Sequence, residues 1–303
     1  MAQALWIVQL LLGAWYAAGV SLHQGQPELF FAPTTPPITD DTCPFYQRCG
    51  EECVGSEFLR KQLSTEVMER LASLDADHKV MVSFSMYNDI SADVGLACKY
   101  NLTVHEFDPR PNSPTHMKQV QLLLGTMETT HPISMPSHEA CLECTNYWDD
   151  VSHTQMGAHH VLHHQVTVGP SDNSSITLHE TLDDNWKVLS SKGIKEGGQN
   201  LTLPAVSVLS ALRSQQIPRV DVARIDLDGL ELSLLQQVVS LPAEMRPGII
   251  FAQLPSVYEW TCKGLQGECR EWKKDTKAVI SWVKSHGYAF QLYHKMDFIF
   301  LKK

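Results

Sequence analysis

Within one short span the chain passes from an apolar run, "HKVMVSF", through a helical pattern, "ISADVGLACKY", to a second apolar run, "LTVHEF". Two strands joined by a helix do not form a hairpin, and the crossover lays them side by side in parallel. A parallel sheet is covered by helices on both faces, so this one unit constrains the architecture of the whole domain. The alternation continues in "VARIDLDGLELSLLQQV", where Val220, Val222, Ala223 and Ile225 read as a strand, while Leu230, Leu234, Leu235 and Val238 recur at helical spacing. "RPGIIFAQL" is a further strand, and "ECREWKKDTKAVISWVKSHG" is a helix with a glycine stop. "YAFQLYHKMDFIFLKK" then closes the chain as two strands separated by a tight turn, which adds an antiparallel strand to the sheet. The expected fold is α/β and Rossmann-like, mostly parallel with an antiparallel C-terminal strand. In such open sheets ligands sit beyond the carboxyl ends of the strands.

The remaining segments are expected as follows. A helix is read over 57–74 through Phe58, Leu59, Leu63, Val67, Leu71 and Leu74. A long polar insertion runs from Arg110 to Ala158. "HHVLHHQVTVG" and "SSITLHE" are consecutive strands, and "PAVSVLSALRS" is a helix with Pro204 in its first turn.

At 303 residues there is room for a sizeable core. Apolar residues 4–20, with Ala17, Ala18 and Gly19 as small residues near a cleavage position, read as a signal peptide or a signal anchor. A proline-rich stem and a cysteine-bearing preamble follow over 21–56, and the folded domain is expected over 57–303. Both readings of the N-terminus place the chain in the secretory lumen or outside the cell, with membrane attachment only if the segment is an uncleaved anchor. Sequons at Asn101, Asn173 and Asn200 agree with that route. So does the even set of eight cysteines, which in an oxidising compartment reads as disulfides, Cys262 with Cys269 foremost. A net charge of −10 and the lack of basic runs argue against nucleic acid as a partner.

Three strand ends carry polar groups: Ser85 to Asp89 after the first strand, Asp108 after the second, and Asp226 with Asp228 after "VARI". Asp108 stands where an acidic residue accepts from ribose hydroxyls in nucleoside-binding sheets, although no glycine-rich loop precedes it. These segments resemble the secretory methyltransferase-like family related to FkbM-type enzymes. Ser83, Phe84, Asn88, Asp89, Ser91, Asp93, Val104, Phe107, Asp108 and Pro109 match its first block. The segment from Ala223 to Glu231 resembles its second.

The resemblance implies a class I methyltransferase fold that binds S-adenosyl-L-methionine. Ser85, Asn88 and Asp89 would wrap the methionine portion, with Asp89 at its ammonium group. Asp108 would hold the ribose, and Asp226 would face the methyl-transfer centre as the catalytic carboxylate. The donor is already electrophilic, so proximity and orientation carry such chemistry. A carboxylate takes a proton where the acceptor is a hydroxyl. The acceptor itself is not identified. Ser85 replaces the family glycine, Arg224 its lysine and Asp228 its glutamate, which keeps a non-catalytic binding protein on the same fold as the alternative.

Plainer readings stand beside these. Asp228 and Glu231 favour a helix start. Tyr258 and Trp260 line an acceptor pocket or simply pack. Cys141 and Cys144 lie near His159, His160, His163 and His164 and have zinc-ligand chemistry, but neighbouring positions of a strand point to opposite faces. No metal site is therefore expected.

Overall fold

The computed structural model describes residues 53–54, 61–74, 79–85, 90–125, 160–180, 186–188, 198–227, 229–254, 277–294 and 297–303. All fall in one compact unit, Ile38–Lys303. The expected signal segment, the stem and preamble apart from Cys53 and Val54, the Cys141–Cys144 and Cys262–Cys269 pairs, His159, Asn88, Asp89, Asp228, Tyr258 and Trp260 lie outside the described residues. Among the described residues no helix is long and apolar enough to cross a membrane.

The elements follow the expected alternation. A small antiparallel pair, β1 (Cys53–Val54) and β2 (Lys61–Gln62), precedes helix α1 (Thr65–Ala72). Then come β3 (Val80–Ser85), α2 (Ser91–Tyr100), β4 (Thr103–Phe107), α3 (Ser113–Gly125) and β5 (Val161–His164). The strands β6 (Ser174–Glu180), β7 (Trp186–Val188) and β8 (Asn200–Ala205) follow, then α4 (Val208–Ser214), β9 (Val222–Asp226), α5 (Glu231–Val239) and β10 (Ile249–Gln253). Helix α6 (277–285) leads to β11 (Tyr288–His294) and β12 (Asp297–Lys302).

Seven strands form the main sheet in the order β11-β12-β10-β9-β3-β4-β5. β3 pairs in parallel with both β4 and β9, so the chain reverses its winding at β3. β12 runs antiparallel to β10 and to β11. This is the Rossmann-like, mostly parallel sheet with an antiparallel C-terminal strand that the pattern implies. Its faces are covered separately. Val67 and Leu71 of α1, Val94 and Ala97 of α2, and Met117 and Val120 of α3 pack with Met81, Val104, Val222 and Ile249 on one side. Val208 and Leu212 of α4, Leu234 and Val238 of α5, and Val283 of α6 pack with Val82, Phe84, Ala223, Ile225 and Ile250 on the other. Each fully buried aliphatic or aromatic side chain of this kind contributes roughly 1.5–3 kcal/mol.

Three boundaries depart from the sequence reading. The first helix begins at Thr65 and not near Glu57, because Ser64 caps it by accepting the Val67 N–H at 3.3 Å. The polar insertion after Arg110 opens with α3, whose second residue is Pro114, a position that needs no donated N–H. Pro204 does not open a helix. It lies in β8, an edge strand of the separate sheet β7-β6-β8, where a missing N–H breaks no ladder bond. Ser207 caps α4 instead, and Asp172 accepts from the Ser207 N–H at 2.8 Å and the Ser210 hydroxyl at 2.9 Å.

Candidate functional site

The carboxyl ends of β4, β3 and β9 are adjacent, and their registers fix which side chains share a face. Ser83 stands opposite Glu106 on one side and Arg224 on the other. One step further along, Ser85 stands opposite Asp226. Because strand side chains alternate, Ser83, Ser85, Glu106, Arg224 and Asp226 all face the α2 side, with Asp108 continuing the row beyond β4. On this face Met81, Val104 and Val222 begin the three strands as apolar core, and polar residues finish them. The opposite face is mainly apolar, with Val82, Phe84, Phe107, Ala223 and Ile225, and carries His105 and His164 at its β4–β5 side.

The result is a polar layer beneath the start of α2, and it is buried: Ser85 and Asp93 are 0 % exposed, Asp226 is 1 % and Asp108 is 3 %. Its charges are paired. Arg224 donates from Nη1 to Asp93 Oδ2 and from Nη2 to Asp226 Oδ2, the latter at 2.6 Å. Gln253, at the end of β10, takes the amide orientation in which its Nε2 donates to both Asp226 oxygens, 2.7 Å to Oδ2. Asp108 is gripped by Arg110. The Arg110 backbone N–H donates to Oδ1 at 3.0 Å, Nε lies 2.9 Å from Oδ2, and Nη2 lies 2.5 Å from Oδ2. Ser113 ties the same turn together, donating from Oγ toward the Asp108 and Arg110 carbonyls and lying 3.0 Å from His163 Nε2.

Glu106 differs from its neighbours. Its Oε1 accepts from the Ser85 hydroxyl at 2.6 Å, while among the described residues its Oε2 has no partner. Burial, and then the nearby Asp93 carboxylate, push its pKa from 4.5 up to about 8, against the pull of Arg224. Burial therefore favours its protonated form more than that of an ordinary carboxyl. Burial alone would lower the Arg224 pKa, but Asp93 and Asp226 outweigh this and hold it above its ordinary value. Across the sheet, His105 and His164 stack at 5.1 Å with Nδ1 and Nε2 2.9 Å apart. Burial, then the His164 charge, lower His105 to about 4. His163 and His164, consecutive in β5, thus serve opposite faces.

Of the expected site residues, Ser85, Asp108 and Asp226 are brought together, and Asn88 and Asp89 lie outside the described residues. Asp226 is held by an arginine and an amide. Both engage its Oδ2 and the side chain is buried, which is the geometry of a tie within the layer. Asp108 has about four acceptor directions, and three N–H groups of Arg110 already approach it. Glu231 supports the helix start as expected, its Oε2 accepting the N–H of Gly229 at 2.9 Å, and Gly229 has a φ of 94° that suits glycine. Glu106, Arg110 and Gln253 were not singled out from sequence. The period-two alternation within "VMVSFS", "TVHEFD" and "VARID" is the signal that finds Glu106, since each strand reads apolar, polar, polar on one face. No family model and no curated protein matches the chain. Its function must therefore be argued from the site.

Proposed function

We propose that the protein is an S-adenosyl-L-methionine-dependent methyltransferase of the secretory pathway, acting on an acceptor not yet identified. The observation that carries the reading is the polar layer shared by three neighbouring strand ends at the point where the sheet reverses its winding. That is where open α/β sheets bind nucleoside-containing ligands. Asp93, Asp108 and Asp226 outnumber Arg110 and Arg224 by one, so the layer is formally negative whatever the state of Glu106. That balance suits a cationic sulfonium more than an anionic phosphate. Asp108 would take a ribose hydroxyl in exchange for one of the four contacts that Arg110 makes with its two oxygens. The main chain at Ser85, with Asn88 and Asp89 beyond it, would meet the methionine portion. Asp226 would act through Arg224 and Gln253 by keeping the strand end rigid, while proximity and orientation carry the transfer. A disulfide at Cys98 and exposed sequon asparagines at Asn101, Asn173 and Asn200 support the lumenal setting.

A second reading is favoured by one specific observation: Asp108 and Asp226 are both committed to internal partners. A secreted binding protein on the same fold, without turnover, needs nothing more. Calorimetry with S-adenosyl-L-methionine and S-adenosylhomocysteine separates the two readings. The methyltransferase reading expects binding of both compounds, and absence of both heats eliminates it. Binding without methyl transfer to glycan, carboxylate or small-metabolite acceptors leaves the second reading.

A further inference from the structure

Ser85 closes β3 at the strand end that a nucleoside donor must approach most closely, and its side chain is fully buried. A serine there has two possible effects. A hydroxyl free to turn claims space and competes for backbone groups of the loop that follows. A hydroxyl held in one rotamer leaves the strand end presenting main chain. The Oγ of Ser85 donates to Glu106 Oε1 at 2.6 Å, on the neighbouring strand and within the polar layer. Glu106 is 1 % exposed, and its second oxygen, Oε2, meets no partner among the described residues. The face around it presents Asp93 from α2, Arg224 from β9, Asp108 from the end of β4 and His163, its register partner, from β5. Arg224 is committed to Asp93 and Asp226, and Asp108 is gripped by Arg110, so the contact Glu106 does make is with Ser85.

We propose that Glu106 is a positioning residue for the methyl donor: its hydrogen bond turns the Ser85 hydroxyl down into the polar layer and keeps the end of β3 open to the ligand. The inference rests on the methyl-donor reading above and explains how a serine is accommodated at this strand end. Glu106 touches neither donor nor acceptor. It acts by fixing a neighbour before binding, and pre-organisation of that kind appears in affinity.

The test is a double-mutant cycle on donor affinity in the full chain, with S-adenosyl-L-methionine and S-adenosylhomocysteine as the probes and circular dichroism to establish folding. Glu106→Gln keeps an acceptor for Ser85 and is expected to bind within threefold of the parent. Glu106→Leu leaves the hydroxyl buried without a partner and is expected to bind about tenfold or more weakly. Adding Ser85→Gly to Glu106→Leu removes that hydroxyl and is expected to restore affinity to within about threefold. A merely structural role for Glu106 predicts no such rescue. Should Glu106→Leu fail to fold, Glu106→Ala alone and with Ser85→Gly completes the same cycle. Additive losses, or an unchanged affinity in Glu106→Leu, overturn the positioning role while leaving the donor reading standing. A parent protein that binds neither probe overturns the donor reading, and the positioning role with it.

Discussion

Arg224 and Asp93 are 131 residues apart in sequence, yet the Arg224 Nη1 donates to the Asp93 Oδ2 and so ties the end of β9 to the first turn of α2. The same guanidinium holds Asp226. One buried cation therefore fixes the strand and the helix between which the candidate crevice lies. Arg224→Met removes it and leaves two buried carboxylates without their counter-charge. The expected loss is ~3–5 kcal/mol in chemical denaturation. Arg224→Lys cannot bridge two carboxylates with a planar fork and should fall between the two. A loss below about 1 kcal/mol for Arg224→Met would mean that the pairing is not the tie described.

Much of this arrangement was legible beforehand, and the limits are instructive. The strand–helix alternation determined the sheet because a helical crossover enforces parallel pairing, whatever the details of packing. The site was legible only as strand ends. Ser85, Asp108 and Asp226 stood out because they interrupt apolar runs. Glu106 was hidden inside "LTVHEF", where a lone acid reads as the solvent side of a strand until its neighbours' registers show that it faces a helix. Arg110 was lost for another reason. It follows Asp108 and Pro109 in a turn, and nothing in a one-dimensional pattern says that its side chain folds back onto Asp108. The misplaced helix start at Pro204 arose from taking proline at face value when an edge strand accepts it equally well.

Asp226 offers a sharper test of role. Asp226→Asn keeps the shape but loses the charge that Arg224 and Gln253 meet. The expected outcome is a stability loss of roughly 1–3 kcal/mol, as for a hydrogen bond to a charged group, together with weaker donor binding. Measured together, the thermal midpoint and turnover should fall and the donor Kd should rise. If turnover alone collapses while the midpoint and Kd stay put, Asp226 takes the proton directly after all.

The proposed lumenal setting makes a chemical prediction. Cys98 on α2 is disulfide-bonded, and among the described residues no cysteine is free. Peptide mapping of protein secreted from eukaryotic cells should find Cys98 unreactive to alkylation until it is reduced. Asn101, Asn173 and Asn200 are all exposed, so enzymatic deglycosylation should lower the mass of the peptides that carry them. A freely alkylated Cys98 and unmodified sequons would together argue against the secretory route.

His105 and Glu106 are neighbours on β4 whose titrations oppose one another, because each is buried on a different face. Burial raises Glu106 from 4.5 to about 8, so its folded form holds a proton that the unfolded chain has released. Its contribution is complete below pH 4.5 and is lost as the pH rises to about 8. Burial lowers His105 from 6.5 to about 4, so the unfolded chain binds a proton that the folded form refuses. Its contribution is complete above pH 6.5 and is lost as the pH falls toward 4, with His163 and His164 acting in the same direction. Each group changes stability by at most about 1.4 kcal/mol per pH unit. Between pH 4.5 and 6.5 the carboxyl and the imidazoles work against each other. From pH 6.5 to 8 the Glu106 effect acts unopposed by them and stability should decline. Glu106→Gln, neutral at every pH, should flatten that upper limb in denaturation curves and gain stability over the parent at pH 8. His105→Phe should keep the stack on His164 and weaken the acid limb. A Glu106→Gln protein that retains the full decline from pH 6.5 to 8 would show that Glu106 is ionised in the folded state, and the polar layer would then carry a second negative charge.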